Sequence, residues 1–378
     1  MSAIPIGQCV MTANEAAAYA AVLARVRAVG AYPITPQTLI VERLADLVSG
    51  REDVEYTELE SEHSMFGYVI GAARAGVRTF TATSSQGLLY AHEQLHRASR
   101  ERIPLVVVDV NRAVFAPWSI EPDLTDAMSQ RDTGWVQLYC SSAQEVLDSV
   151  ICAYRIAEQA MLPVMVCAEG FLLSHTSELV DVPTQGAVDT FLPPLSPPED
   201  WLLDPHKPRL FSSLPGADDY FAFQRAVAEA MEATAGTIEA AAVEFSLHFG
   251  RHKVGALEIA GNPAGSRALV AVGTIAETAH ELLEEDDDLL VVRVHAYRPF
   301  PAAAIVETLG RAQHVTVVDR AAAFGSLGPL ASDVRALGID AAAVVGGLGG
   351  ADVTPTTLRW ALEQPTISRV AYVPEGVR

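Results

Sequence analysis

A chain of 378 residues has the length for two domains, or three with a connector, each with its own core. Half of the residues are hydrophobic, no polar low-complexity tract interrupts them, and the formal net charge is −21; this excludes a disordered chain and argues against a phosphate-tracking surface for DNA or RNA. No stretch reaches the ~18 apolar residues of a membrane span, and residues 1–8 have no basic flank before an apolar core, so a cytoplasmic protein is expected.

Thr12-Ala13-Asn14-Glu15 has the spacing of a helix capping box. It predicts a helix through the Ala-rich run to about residue 29, closed by a tight turn at Gly30. Tyr32-Pro33-Ile34-Thr35-Pro36 cannot be helical, because the residue before each proline is pushed toward extended geometry. A second helix is predicted over 38–48, with Leu39, Ile40, Leu44 and Leu47 on one face.

Glu62 follows in the run Glu58-Leu59-Glu60-Ser61-Glu62-His63. It stands between the Tyr32-to-Pro36 turn and Thr81-Ala82-Thr83-Ser84-Ser85-Gln86-Gly87, a strand running into a polar, Gly-closed turn. A carboxylate between two such turns suits thiamine chemistry. There a buried Glu hydrogen-bonds the aminopyrimidine N1′ and helps that ring remove the thiazolium C2 proton. The competing reading of the same residues is a solvated acidic cluster.

Beyond it, strand and helix alternate: a strand over 77–83 leads to a helix over 88–100. A strand over 104–110 leads to a loop with Asn111 and Arg112. A strand over 136–140 precedes a helix over 143–159, and 163–167 is another apolar strand. This order predicts an α/β fold with a doubly wound parallel sheet. Ligands in such sheets sit outside the carboxyl ends of the strands, where Thr35, Ser84-Ser85-Gln86 and Arg112 are expected.

Residues 182–219 form a Pro-rich connector, followed by a helical segment over 220–248. The second parallel α/β sheet is expected from apolar strands at 268–272, 289–294 and 315–318. The expected division is therefore 1–181, a connector and helical segment over 182–266, and 267–378. The acidic run 284–288 reads as a solvated helix end. Cys9, Cys140, Cys152 and Cys167 are far apart with no C-x-x-C spacing. They read as small buried hydrophobes, and metal clusters are expected on another chain.

Several of these segments, taken in order, carry a resemblance: Tyr-Pro-Ile-Thr-Pro, Glu-Ser-Glu, Thr-Ser-Ser-Gln-Gly, Val110-Asn111-Arg112 and Arg131-Asp132-Thr133-Gly134-Trp135. They are joined by Tyr297-Arg298-Pro299-Phe300-Pro301, Asp319-Arg320 with Gly325 and Gly328, and Gly346-Gly347-Leu348-Gly349-Gly350. The ordered set, spanning roughly 13–353, resembles the α subunit of pyruvate:ferredoxin oxidoreductase and related 2-oxoacid:acceptor oxidoreductases. The resemblance implies a thiamine diphosphate pyrimidine-binding domain followed by a transketolase C-terminal-like domain. It implies that Glu62 activates the aminopyrimidine, that Thr35 and Arg112 hold the 2-oxoacid, and that Pro33, Ser85 and Gln86 lie beside the cofactor. Oxidative decarboxylation of pyruvate or a bulkier or aryl 2-oxoacid to an acyl-coenzyme A and CO2 is then expected, the alternative substrates being 2-oxoglutarate or a branched 2-oxoacid.

Two departures stand out. Glu169-Gly170-Phe171 replaces the family's usual Asp-Gly-Phe, and Tyr90 stands where a flexible apolar residue is common. No Gly-Asp-Gly turn for Mg2+ and diphosphate occurs in the sequence. The resemblance therefore implies a β subunit that supplies that half of the site and carries iron–sulfur clusters, with γ and ferredoxin-like δ subunits. The Gly346-to-Gly350 turn lacks the marks of a phosphate loop and is expected near a subunit contact. His92-Glu93-Gln94-Leu95-His96 matches the H-E-x-x-H zinc pattern, so a metallohydrolase is the rival class, and a non-catalytic scaffold is the other.

Overall fold

A computed structural model describes residues 4–377, and fifteen strands organise these described residues. They are β1 (Gly7–Thr12), β2 (Ala28–Ala31), β3 (Glu55–Glu58), β4 (Thr79–Thr83), β5 (Val106–Asn111), β6 (Val136–Tyr139), β7 (Val164–Glu169), β8 (Ser177–Val182), β9 (Leu257–Gly261), β10 (Arg267–Ala271), β11 (Leu289–Val294), β12 (Ala296–Arg298), β13 (His314–Asp319), β14 (Ala341–Val345) and β15 (Ala371–Tyr372). One sheet has the order β12-β6-β7-β5-β4-β2-β3, a second has β15-β14-β13-β10-β11-β9, and β1 pairs with β8 in a small antiparallel ribbon. All neighbours in the two large sheets are parallel except β12 on β6 and β9 on β11. Central strands such as β5, β7 and β11 are buried along their whole length, as the continuous Val-rich runs require when helices cover both faces. The two doubly wound α/β sheets expected from the alternation are present.

The first helix carries the expected capping box, with Thr12 accepting from Glu15 N, but it spans Ala13–Leu23 and not the whole run to 29. Arg25 turns left-handed just beyond it, with φ of 61°, and Ala28–Ala31 is a buried strand. Gly30 is therefore a strand residue rather than a turn. The helix Glu62–Arg74 passes so close that a Cβ on Gly30 would lie 3.1 Å from Met65 and Val69 side chains. The helix expected over 88–100 is broken at Ala91 into Ser85–Tyr90 and His92–Arg100. Strand β9 begins ten residues before the expected start of the second unit and forms the edge of its sheet.

Three of the sequence motifs prove to be joints within the chain. The Tyr297-Arg298 segment is β12, which leaves the second unit to extend the first sheet, and Arg298 Nε donates to the Arg131 carbonyl at 3.2 Å. Asp319, fully buried, accepts from Leu330 N at 2.9 Å and Ala331 N at 3.1 Å. Gly328 leaves room for that carboxyl, since a Cβ there would meet it at 2.1 Å. The Gly346-to-Gly350 turn, expected at a subunit contact, packs on the loop after Arg112: Gly350 N donates to Pro122 O at 2.9 Å and Gly349 N to Asp123 at 3.3 Å.

A buried polar cluster lies between the two sheets. His295 Nδ1 bonds the Gly255 carbonyl at 2.7 Å, which leaves Nε2 to accept from Lys253 Nζ at 3.3 Å. Burial, reinforced by the Lys253 charge, pulls the His295 pKa down to about 3. The unfolded chain binds a proton here below ~6.5 that the folded protein refuses. The contribution is thus complete above that pH and declines as pH falls toward the folded value. Urea unfolding at pH 6.5 and pH 5 is expected to show a loss of about 2 kcal/mol from this group, and His295→Gln should flatten that part of the slope.

Candidate active site

The carboxyl ends of β2, β4 and β5 converge on one cluster. Glu62 occupies the first turn of the helix Glu62–Arg74, whose N-cap Ser61 accepts from Ser64 N at 3.2 Å. Only 7% of Glu62 is exposed. Burial pushes its carboxyl above the usual range, against the opposing effect of its own main-chain N–H and the Arg112 charge. The acidic run is thus split, with Glu58 and Glu60 facing solvent and Glu62 turned in.

Gly87 explains the polar turn. A Cβ there would lie 2.5 Å from Glu62 Oε1, 2.5 Å from Thr83 Oγ1 and 2.8 Å from Glu62 Cγ, so the Glu62 carboxylate occupies the space a side chain would need. Ser85, at the start of that helix, has φ of 49°, a left-handed backbone that costs a non-glycine residue about 1–3 kcal/mol.

Arg112 draws three segments together. Its NH1 donates to the Thr35 carbonyl at 2.5 Å and its NH2 to Gln86 Oε1 at 2.5 Å. Gln86 Oε1 also accepts from Ser85 Oγ at 2.7 Å, and Ser85 Oγ bonds the Ala113 carbonyl at 2.6 Å. Burial lowers the Arg112 pKa while Asp126 and Glu62 support its charge. Arg112 Nε–H has no partner, so the guanidinium keeps donor capacity beyond its two protein bonds. Thr35 contributes its carbonyl, and its side chain is exposed. It does not cap the following helix, whose N-cap is Gln37. Pro33 lies exposed on the same turn.

Asp126, which sequence reasoning did not single out, joins the cluster from below. Its Oδ2 accepts from Ser85 N at 3.0 Å and Arg112 N at 2.9 Å. Asn111 Nδ2 bridges Asp126 Oδ1 at 2.9 Å and Asp109 Oδ2 at 2.7 Å. A usable signal was Asp109 itself, one carboxyl inside the apolar run Val106-Val107-Val108-Asp109-Val110 of a fully buried strand.

The two departures also find places. Glu169 accepts from Thr274 N and Thr274 Oγ1, each at 2.7 Å, and pairs with Arg320 at 3.2 Å. Its extra methylene reaches the second unit, where Gly273 leaves the space. Tyr90 is 62% exposed, one helical turn beyond Gln86, and its ring lies 6.0 Å from that of His63.

The zinc pattern does not assemble. His92 and His96 stand edge to face at 4.7 Å, and His92 Nδ1 is taken by Gln130 Oε1 at 2.5 Å. Among the described residues the one close group of three possible metal ligands is Cys140, Glu145 and His295, whose neighbours Lys253 and Arg293 oppose a cation.

Several buried polar atoms around Glu62 and Arg112 lack partners: Thr83 Oγ1, Ser84 Oγ and Gln86 Nε2. Buried groups of this kind cost free energy unless something polar meets them. A carboxyl, an amide and a guanidinium thus stand in one cluster with unpartnered polar atoms.

Residues 19–242 match the family described as "Pyruvate flavodoxin/ferredoxin oxidoreductase, thiamine diP-bdg", and residues 266–358 match "Pyruvate:ferredoxin oxidoreductase core domain II". The chain is 43% identical over 357 residues to a pyruvate synthase subunit PorA of Methanothermobacter thermautotrophicus, covering 92% of each chain. It is 40% identical over 331 residues to a ketoisovalerate oxidoreductase subunit VorA of Pyrococcus horikoshii, covering 86% of this chain and 84% of that one. Its fold is similar to a 2-oxoglutarate:ferredoxin oxidoreductase from Magnetococcus marinus, at a TM-score of 0.74 and 18% identity, over 95% of this chain and 66% of that chain. With a family model matched over more than half of the chain and two subunits matched at 40% identity or more over most of their length, the chain belongs to the α-subunit family of the 2-oxoacid:ferredoxin oxidoreductases.

Proposed function

We propose that this chain supplies the aminopyrimidine half of a thiamine diphosphate site and binds the 2-oxoacid with Arg112 and Thr35. The observation that carries the reading is the buried Glu62, its carboxyl pushed up, beside Arg112, Gln86 and unpartnered polar atoms. These residues fit a polar aromatic ring, and the missing Gly-Asp-Gly turn fits a diphosphate held by a β subunit. Thiamine diphosphate, when bound, supplies the carbon nucleophile and the electron sink for loss of CO2.

The residues of this chain bind, orient and hold a proton. Glu62 keeps a proton within reach of the ring nitrogen, which its desolvated position favours. Arg112, with Nε–H free, offers charge and direction to a carboxylate, and Gln86 fixes the guanidinium plane through its NH2 contact. The proposed assembly adds iron–sulfur clusters on β, partners of γ and ferredoxin-like δ type as the remaining electron route, and coenzyme A as acyl acceptor. A cytoplasmic location fits a chain in which no described helix is long and apolar enough to cross a membrane. The proposed functional division is 1–181, 182–266 and 267–378, with β9 supporting an earlier start of the last unit at Leu257.

The substrate proposed is pyruvate or a bulkier 2-oxoacid. Co-expression with the β chain is expected to give 2-oxoacid-dependent reduction of a viologen dye, and this chain alone none. Activity of the isolated chain would sink the proposal. Arg112→Lys replaces a fork with a point charge, and steady-state kinetics should show KM for the 2-oxoacid rising by about 10²-fold with thiamine diphosphate affinity kept.

A further inference from the structure

Two loops of the candidate site, one after β4 and one after β5, have no direct backbone bond to each other in the segment where they approach. Beside the bonds of Ser85 Oγ to the Ala113 carbonyl and of Arg112 NH2 to Gln86 Oε1, one carboxylate ties their main chains together. Asp126, with no exposed surface, accepts from Ser85 N at 3.0 Å and Arg112 N at 2.9 Å through one oxygen. Its other oxygen takes Asn111 Nδ2 at 2.9 Å and Ala127 N at 2.8 Å. Both residues it holds carry side chains of the site, and Ser85 is the one in a left-handed backbone. A bond to its N–H is a direct way to keep that costly conformation.

A second buried carboxyl lies against the first. Asp109 has no exposed surface, its Oδ2 accepts from Asn111 Nδ2 at 2.7 Å, and its Oδ1 has no hydrogen-bond partner. Two adjacent buried carboxyls cannot both carry charge. Donor count decides between them: four donors converge on Asp126 and one on Asp109. The proton therefore belongs on Asp109, facing Asp126.

We propose that Asp126 is the positioning residue of this site, setting Gln86 and Arg112 through the main chain of Ser85 and Arg112, with Asp109 as its neutral acid partner. The same order of protonation follows from the surroundings: burial, then the Asp126 charge, raises Asp109 well above the usual carboxylate range, and Asp126 stands at about 6. Asp126 acts through other residues and touches no reacting atom. The inference rests on the proposed role of Glu62 and Arg112.

The test uses the assembled complex and reads KM for the 2-oxoacid and kcat separately. Asp126→Asn places an amide where two main-chain N–H groups need an acceptor, and it is expected to raise KM at least tenfold and lower kcat. Asp109→Asn replaces a neutral acid with a neutral amide and is expected to change kcat/KM less than threefold. Asp126→Glu keeps the charge one methylene away and should recover part of the KM lost in Asp126→Asn.

Equal losses in Asp109→Asn and Asp126→Asn overturn the assignment of the proton. A folded Asp126→Asn complex with unchanged kcat and KM overturns the positioning role, because a purely structural residue would move the melting temperature alone. Where Asp126→Asn does not fold, Asp126→Ser takes its place, and wild-type kcat and KM in that folded complex overturn the role instead. Glu62→Gln separates the two levels of the argument. If that variant is inactive while Asp126 variants are normal, only this inference fails; if it is fully active, the reading of the site fails.

Discussion

Replacing Glu62 by glutamine is expected to lower kcat of the assembled complex by about 10²–10⁴-fold, the range for loss of a positioned acid–base group. The substitution is close to isosteric and removes a charge that burial already disfavours at this position. The melting temperature is therefore expected to hold, and the affinity for thiamine diphosphate to change little, because shape and one hydrogen-bonding oxygen remain. The combination separates chemistry from binding: a residue that merely capped a helix would lose stability and keep turnover. Cofactor titration and single-turnover kinetics on the purified complex read both quantities. Turnover above a tenth of wild type would remove Glu62 from the reaction.

Gly87→Ala is expected to be nearly as damaging, for a reason that helix propensity predicts the wrong way. Gly87 lies inside the helix Ser85–Tyr90, where alanine is favoured over glycine by about 1 kcal/mol. The added methyl, however, would sit 2.5 Å from both Glu62 Oε1 and Thr83 Oγ1. Overpacking of this kind costs about 1–3 kcal/mol, and the cheapest relief is to swing the Glu62 carboxylate out of its place. A fall in kcat of about 10²-fold or more is expected, and little further loss when Gly87→Ala is combined with Glu62→Gln, since both act on one group. Additive losses in that double-mutant cycle would show that Gly87 matters for another reason.

The fold was legible wherever periodicity and length agreed. The helix Thr38–Val48 lies where its period predicts, though Leu39 is exposed and Val41 is buried with Ile40, Leu44 and Leu47, and the strand β11 lies where its continuous apolar run predicts. Strand β2 was hidden for the opposite reason. Its Ala-Val-Gly-Ala follows an Ala-rich helix with no change of composition, and its glycine answers to a helix thirty residues later. Strand β3, Glu-Tyr-Thr-Glu at a sheet edge, offered too few apolar residues to stand out.

At the site, side chains were easier to find than main-chain roles. Glu62, Ser85, Gln86 and Arg112 are marked by polar side chains, and the structure places them in one cluster. Thr35 was singled out with Arg112, and the contact between the two is made by its carbonyl, a group every residue has and no motif marks. Asp126 escaped notice on the same ground, since what it binds is backbone. Its partners lie 41 and 14 residues away, separations at which local pattern carries no information.

Strand β12 has a consequence for how the molecule can be divided. By pairing with β6 it covers an edge of the first sheet that would otherwise present a row of free N–H and C=O groups. Bare edges recruit strands from other chains. A fragment ending at the connector would keep Glu62 and Arg112 but expose that edge, turning the first unit into a nucleus for aggregation. The second unit thus acts as an intramolecular guard for the first, and the first has to be made and stored with its guard attached.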